Sequence, residues 1–147
     1  GTGGALKLAE GLLCDPILVL NGDTYVEWSL SSLRACQREN DADIVMVLQE
    51  VDDVSRYGSV EIDATGAVIK FSEKGARAGA GLINAGVYLL RKQIVSGLPA
   101  RTAISLERDV FPHLLGKKFY GVVSRGTFID IGVPADLERA QMILQSS

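Results

Sequence analysis

Asp23 and Asp130 are the two carboxylates whose setting suits them for chemistry. Each closes an apolar run beside a glycine: Ile17-Leu18-Val19-Leu20-Asn21-Gly22-Asp23 in one case, Phe128-Ile129-Asp130-Ile131-Gly132 in the other. Apolar runs with β-branched members read as buried strands, and open α/β sheets bind ligands at the carboxyl ends of their strands. Mg²⁺ is a hard cation held by one or two carboxylates together with substrate phosphates, so this pair would serve if the two strand ends meet. Asp is equally at home capping a turn or a helix, and that explains either position taken alone.

The elements that must position these residues follow from pattern. Ala5 to Leu13 suits a short amphipathic helix opened by Gly1-Thr2-Gly3-Gly4, and such a turn presents backbone N–H groups to an anion or a base edge, or is a flexible terminus. Ile17 to Leu20 is a strand. Ser29 is placed to cap a helix running to about Asn40, and Ala42 to Val51 is a second apolar strand, which together predict a βαβ unit. Gly58 to Asp63, a turn at Ala64-Thr65-Gly66, and Ala67 to Phe71 predict an antiparallel hairpin appended to the sheet. Leu82 to Leu90 is another buried strand, in which Asn84 and Gly86 stand out, since a strand glycine often marks close approach of a ligand or backbone. Helices are expected at Gln93 to Leu98, at Ser105 to Leu115 with Glu107 and Asp109 complementing the helix dipole, and at Pro134 to about Gln145. A strand covers Phe119 to Val123. The whole, residues 1–147, reads as one α/β domain: a mixed, mainly parallel Rossmann-like sheet with flanking helices and an appended hairpin.

Composition narrows the function classes. The chain has 147 residues, 47% of them apolar and 22% charged, enough for a real hydrophobic core. A net charge of −3 without any run of lysine or arginine argues against a nucleic-acid partner, although one nucleotide needs only a few placed donors. No apolar stretch reaches membrane-spanning length and no leader pattern opens the sequence. Cys14 and Cys36 lack metal-type spacing and are expected to be reduced and buried, so the expected location is the cytoplasm.

Six motifs in fixed order carry a resemblance: Gly1-Thr2-Gly3-Gly4-Ala5, Asn21-Gly22-Asp23, Tyr57-Gly58, Phe71-Ser72-Glu73-Lys74, Asn84-Ala85-Gly86-Val87-Tyr88 and Phe128-Ile129-Asp130-Ile131-Gly132. Together they resemble the sugar-phosphate nucleotidyltransferases over essentially the whole chain. Ser105-Leu106-Glu107-Arg108-Asp109-Val110-Phe111-Pro112 and the ending Ile129 to Pro134 are similar to D-glycero-α-D-manno-heptose 1-phosphate guanylyltransferases in particular. The resemblance implies that a sugar 1-phosphate oxygen attacks the α-phosphorus of a nucleoside triphosphate, GTP in this subgroup, with pyrophosphate leaving. It implies nucleotide binding by Gly1, Thr2 and Gly3, and Mg²⁺ held by Asp23 and Asp130. Sugar contacts would fall to Gly58, Glu73 and Asn84, with Lys74 near the sugar phosphate. Tyr57 suits either the core or a pocket wall. Read from the residues alone, Glu73 and Lys74 are a solvated charge pair. Catalysis of this kind rests on positioning and charge neutralisation, so His113 needs no role.

The same resemblance exposes a departure. Family members open with a strand and a Gly-rich loop bearing Arg and Lys that embrace the triphosphate, and nothing in this sequence matches it. The expectation is therefore an incomplete nucleotidyltransferase fold with one side of the sheet unpaired, prone to self-association, and weak or inactive on its own. Readings from other classes are a sugar-phosphate-binding or assembly module, and a nucleotide-sugar glycosyltransferase. The last usually shows Asp-x-Asp, where this sequence has Asp23-Thr24-Tyr25.

Overall fold

The computed structural model describes residues 1–72, 78–131, 136 and 140–142. Its main sheet is built around two long strands, β3 (Ile44–Val51) and β6 (Gly81–Leu90), which pair antiparallel. On the far side of β3 lies β7 (Phe119–Ser124), parallel to it. On the far side of β6 lie β1 (Ile17–Leu20), against residues 87–90, and β4 (Ser59–Ile62), against residues 82–83. The hairpin partner β5 (Val68–Ser72) completes the order β5-β4-β6-β3-β7. A separate two-stranded ribbon joins β2 (Thr24–Val26) to β8 (Phe128–Asp130).

The mixed α/β class is the expected one, and β1, β3, β4 and β7 all run in one direction. The pairing is less simple than a βαβ unit suggests. Helix α2 (Leu30–Glu39) does lead from β1 toward a parallel β3, but β6 is inserted between them, so most hydrogen-bonded ladders are antiparallel. The same local pattern is compatible with both arrangements, because an apolar run buried on two faces does not name its neighbour.

Strand alternation explains the core. Ile44, Met46, Leu48, Tyr88 and Leu90 face one side with Phe111 and Phe119, while Val45, Val47, Val87 and Leu89 face the other beneath Leu33 of α2. The first side is dominated by aromatics: the Phe111 ring lies 5.1 Å from Tyr88 and 5.2 Å from Phe119. The caps are those expected, with Ser29 Oγ accepting from Ser32 N and Ser105 Oγ accepting from Arg108 N. At the hairpin, Asp63 Oδ1 accepts from Thr65 N at 2.8 Å, and Gly66 adopts φ +83°.

Several expectations change. The first helix, α1 (Thr2–Leu8), gives way to a 3₁₀ turn at Glu10–Leu12, and Leu8 and Leu12 are 90% and 88% exposed, so only Leu6 and Leu13 serve the core. Between them, α3 (Lys92–Ser96) matches expectation, but residues after Ser105 form a π turn at Leu106–Val110 and a 3₁₀ turn at Phe111–Leu114. Pro112 has no N–H to continue an α-helix, which explains the broken geometry. Cys14 is exposed rather than buried, and both cysteines are free thiols. Strand β2 (Thr24–Val26) is too short, at three residues, to show a periodic signal in the sequence. Glu73 and Lys74, and most of the closing helix, lie outside the described residues. No described helix is long and apolar enough to cross a membrane. Among the described residues β1 has no strand on its outer edge, where Leu18 and Leu20 are exposed.

Candidate functional site

A cleft of about 640 Å³ opens at the carboxyl end of β1, walled by Thr2 and Leu6 of α1, by Leu20, Asn21 and Asp23, and by Glu107. This is where an α/β sheet is expected to bind ligands. The glycines expected to form a turn are instead the N-cap and first residues of α1, and of the Gly-Thr-Gly motif only Thr2 joins the Asn-Gly-Asp motif at this opening.

The glycines at the start of α1 allow that helix to sit directly on the backbone before Ser105. A Cβ on Gly1 would stand 2.4 Å from Ile104 O, and one on Gly4 would stand 2.7 Å from Thr102 O. Gly3 is buried at 3.0 Å from the Ile104 side chain, measured from the same added Cβ. Gly4 N donates to Ile104 O at 3.2 Å. Close packing therefore explains why small residues stand there, and it leaves the Thr2 hydroxyl at the cleft.

Thr2 Oγ1 donates to Glu107 Oε2 at 3.1 Å and accepts from Leu106 N at 2.9 Å. Glu107 accepts twice more, from Ser105 Oγ at 2.8 Å and from the Tyr88 hydroxyl at 3.2 Å. Asn84 Nδ2 donates to Tyr88 at 2.7 Å, while Asn84 Oδ1 accepts from Gly86 N at 2.9 Å. Burial pushes the Tyr88 phenol far above its usual range, and the neighbouring Glu107 charge pushes it further. Tyr88 is therefore a neutral hydroxyl throughout the physiological range, able to donate and accept at once.

Gly86 answers the question its position in a strand raises. It sits at φ +75° in an irregular stretch of the β3–β6 ladder, and its carbonyl accepts from Asn21 N at 2.8 Å. The close approach is made by Asn21, one residue before Gly22-Asp23, so Gly86 helps to set where the Asp23 turn lies.

Asp130 belongs to a second, larger cleft of about 910 Å³, shared with Tyr57, Asp52, Asp53, Arg56 and Asp136. Tyr57 is a wall of it: its ring meets Phe128 edge-on at 5.8 Å, with Arg56 over its face. Gly58 lies at the head of β4, where a Cβ would approach Ser72 O to 2.9 Å. The β2–β8 ribbon separates the two clefts. Thr24 stands opposite Asp130, and Ile131 N donates to Asp23 O at 3.0 Å, so the backbones of Asp23 and Asp130 are cross-strand neighbours. Glu27 secures the ribbon by accepting from Thr127 N at 3.2 Å and Thr127 Oγ1 at 2.9 Å.

The strand ends thus meet, but Asp23 lines the first cleft and Asp130 the second. Among the described residues no three or more His, Cys, Asp or Glu side chains form a metal cluster. Mg²⁺ takes only one or two carboxylates from protein and the remainder from phosphates and water, so each of these carboxylates has the donor chemistry for it on its own side of the ribbon. Glu107, Tyr88 and Asn21 stand within the quoted motifs but carry no site role in the sequence reading. The four-residue spacing of Asn84 and Tyr88 on one strand placed both on one face, whereas the first-turn position of Glu107 was accounted for by the helix dipole alone.

The chain belongs to the nucleotidyl transferase family, whose model matches residues 1–147. It is 37% identical over 136 residues to the D-glycero-alpha-D-manno-heptose 1-phosphate guanylyltransferase of Campylobacter jejuni, a match spanning 92% of this chain and 59% of the relative. It is 35% identical over 143 residues to the mannose-1-phosphate guanylyltransferase of Mycobacterium tuberculosis, covering 95% of this chain and 40% of that one. The crystal structure of HddC from Yersinia pseudotuberculosis complexed with GMP-PN superposes with a TM-score of 0.82 at 40% identity, over 95% of this chain and 60% of the other. The chain therefore spans well under two thirds of each of these proteins.

Proposed function

We propose that this chain forms part of a guanylyltransferase that transfers GMP from GTP to a sugar 1-phosphate, with a heptose 1-phosphate as acceptor and pyrophosphate as the second product, in cytoplasmic nucleotide-sugar synthesis. The observation that supports it most is the convergence of Thr2, Asn21 and Asp23 on one cleft at the carboxyl end of β1, in a chain of this family. Relatives acting on heptose and on mannose 1-phosphate lie at similar identity, and heptose is preferred for the Ser105 to Pro112 run.

In this reading Thr2 lies against the nucleotide, and Gly1 and Gly3 serve it by letting α1 pack closely on Ile104. Tyr57, Gly58, Glu73 and Asn84 serve the sugar, and Lys74 serves its phosphate. Asp23 and Asp130 would hold Mg²⁺, whose chemistry is to neutralise the phosphate charge that builds up as pyrophosphate leaves. The chain's own part is positional: packing of α1 on Ile104 fixes Thr2, and the β2–β8 ribbon fixes the separation of the two carboxylates. Because the chain spans only part of its relatives' length, it is proposed to have little transfer activity alone and to associate through the open edge of β1.

Pyrophosphate release with Mg²⁺, GTP and heptose 1-phosphate or mannose 1-phosphate tests this. The full natural protein should release pyrophosphate with GTP and the heptose substrate, and much less with other nucleotides. Robust release by residues 1–147 alone would overturn the weak-activity proposal, and no release by the full protein with either sugar would overturn the function.

A further inference from the structure

We infer that Glu107 is a positioning residue that couples the wall of the first cleft to strand β6, by setting the direction of every proton in the network between Thr2 and Gly86. Its bearing on turnover rests on the reading above, in which Thr2 meets the nucleotide and Asn84 the sugar.

The inference follows from donor and acceptor arithmetic. An ionised carboxylate only accepts, and a hydroxyl has one proton to give. Thr2, Ser105 and Tyr88 all give theirs to Glu107, at 3.1, 2.8 and 3.2 Å. Their lone pairs are thereby left for Leu106 N, Arg108 N and Asn84 Nδ2. The chain is also constrained from its other end. Gly86 N can only donate, so Asn84 must present Oδ1 to it and Nδ2 to Tyr88. Tyr88 must then accept from Asn84, the Asn21 amide also lies against its hydroxyl, and the proton goes to the Glu107 carboxylate. Tyr88 is fully buried, so water offers no substitute and the low dielectric strengthens each bond.

Neutral Gln at position 107 has the shape of Glu but brings an NH₂ donor. It satisfies fewer of the three hydroxyls, lets the Tyr88 proton turn toward Asn84, and so disfavours the amide orientation that Gly86 requires. A disturbance at the cleft wall is thereby felt in β6, although Thr2 and Asn84 make no bond to each other. A merely structural hydrogen bond would lower stability everywhere alike.

Amide hydrogen exchange on the full natural protein separates the two cases. Glu107→Gln is expected to reduce protection about tenfold at both Leu106 and Gly86, leaving Leu89 of the same strand unchanged. Tyr88→Phe keeps the ring and should affect Gly86 but leave Leu106. Loss at Leu106 without loss at Gly86 in Glu107→Gln, or an equal loss at Leu89, overturns the coupling. In turnover with GTP and heptose 1-phosphate, Glu107→Gln should raise KM for both substrates about tenfold with kcat within about twofold; unchanged KM values overturn the positioning role. If the wild-type protein transfers no nucleotide, the functional reading fails while the exchange result still decides the coupling.

Discussion

Gly86 and Asn21 approach each other more closely than any side chain at position 86 would allow: a Cβ there would stand 2.7 Å from Asn21 Nδ2. Since φ at Gly86 is +75°, other residues are penalised there on conformational grounds as well. Gly86→Ala should therefore cost roughly 2–5 kcal/mol, combining the left-handed backbone penalty with overpacking. Urea unfolding checks it, and an unchanged midpoint would show that the contact yields freely.

Phe111 is fully buried between Tyr88, Phe71 and Phe119. Its truncation leaves a cavity against the Tyr88 ring. Phe111→Ala is expected to lose about 3–5 kcal/mol of stability, and Phe111→Leu distinctly less. Matched denaturation curves of the two variants measure the difference.

The pH dependence of stability has two limbs with known sign. The Tyr88 phenol is shifted upward by burial and by Glu107, so its contribution is complete below the unfolded value of about 10 and is lost as pH rises beyond it. Tyr88→Phe should flatten the alkaline fall in melting temperature. On the acid side, hydrogen bonds from Lys118 and Arg91 lower Asp41, those from Ser55 and Gly79 lower Asp53, and those from Thr65 and Ala67 lower Asp63. Their contributions are complete above about pH 4 and are lost as pH falls below it. All three side chains are solvent-exposed, so each is small; Asp63→Ala should lessen the acid-limb slope slightly without moving the alkaline one.

Asp23 and Asp130 are expected to fail in the same way despite facing different clefts. In the full natural protein, Asp23→Asn and Asp130→Asn should each weaken Mg²⁺-dependent GTP binding by about tenfold or more while leaving melting temperature nearly unchanged. Calorimetric titration with and without Mg²⁺ measures it. If only Asp23→Asn has an effect, the metal belongs to the first cleft alone.

Glu27 gives a structural route to the same readout, because it secures the turn that leads into Asp130. Glu27→Ala should weaken Mg²⁺-dependent binding less than Asp130→Asn does, and the Thr127 amide should exchange faster.

Local chemistry was legible from the sequence. The Ser29 and Ser105 caps, the Ala64-Thr65-Gly66 turn and the apolar strands each depend on residues within a few positions of one another, so their residue types suffice to place them. Motif order made Thr2 and Asp23 separate candidates, and the structure puts both at one cleft. The insertion of β6 between β1 and β3, the β2–β8 ribbon, the division of the carboxylates between two clefts and the partners of Glu107 were not legible. Thr2 and Glu107 are 105 positions apart, and neither residue type names the other. Such contacts are selected by competition among all the strand edges and buried donors of the folded chain, a choice made only when the layers pack and every buried polar group has to find a partner.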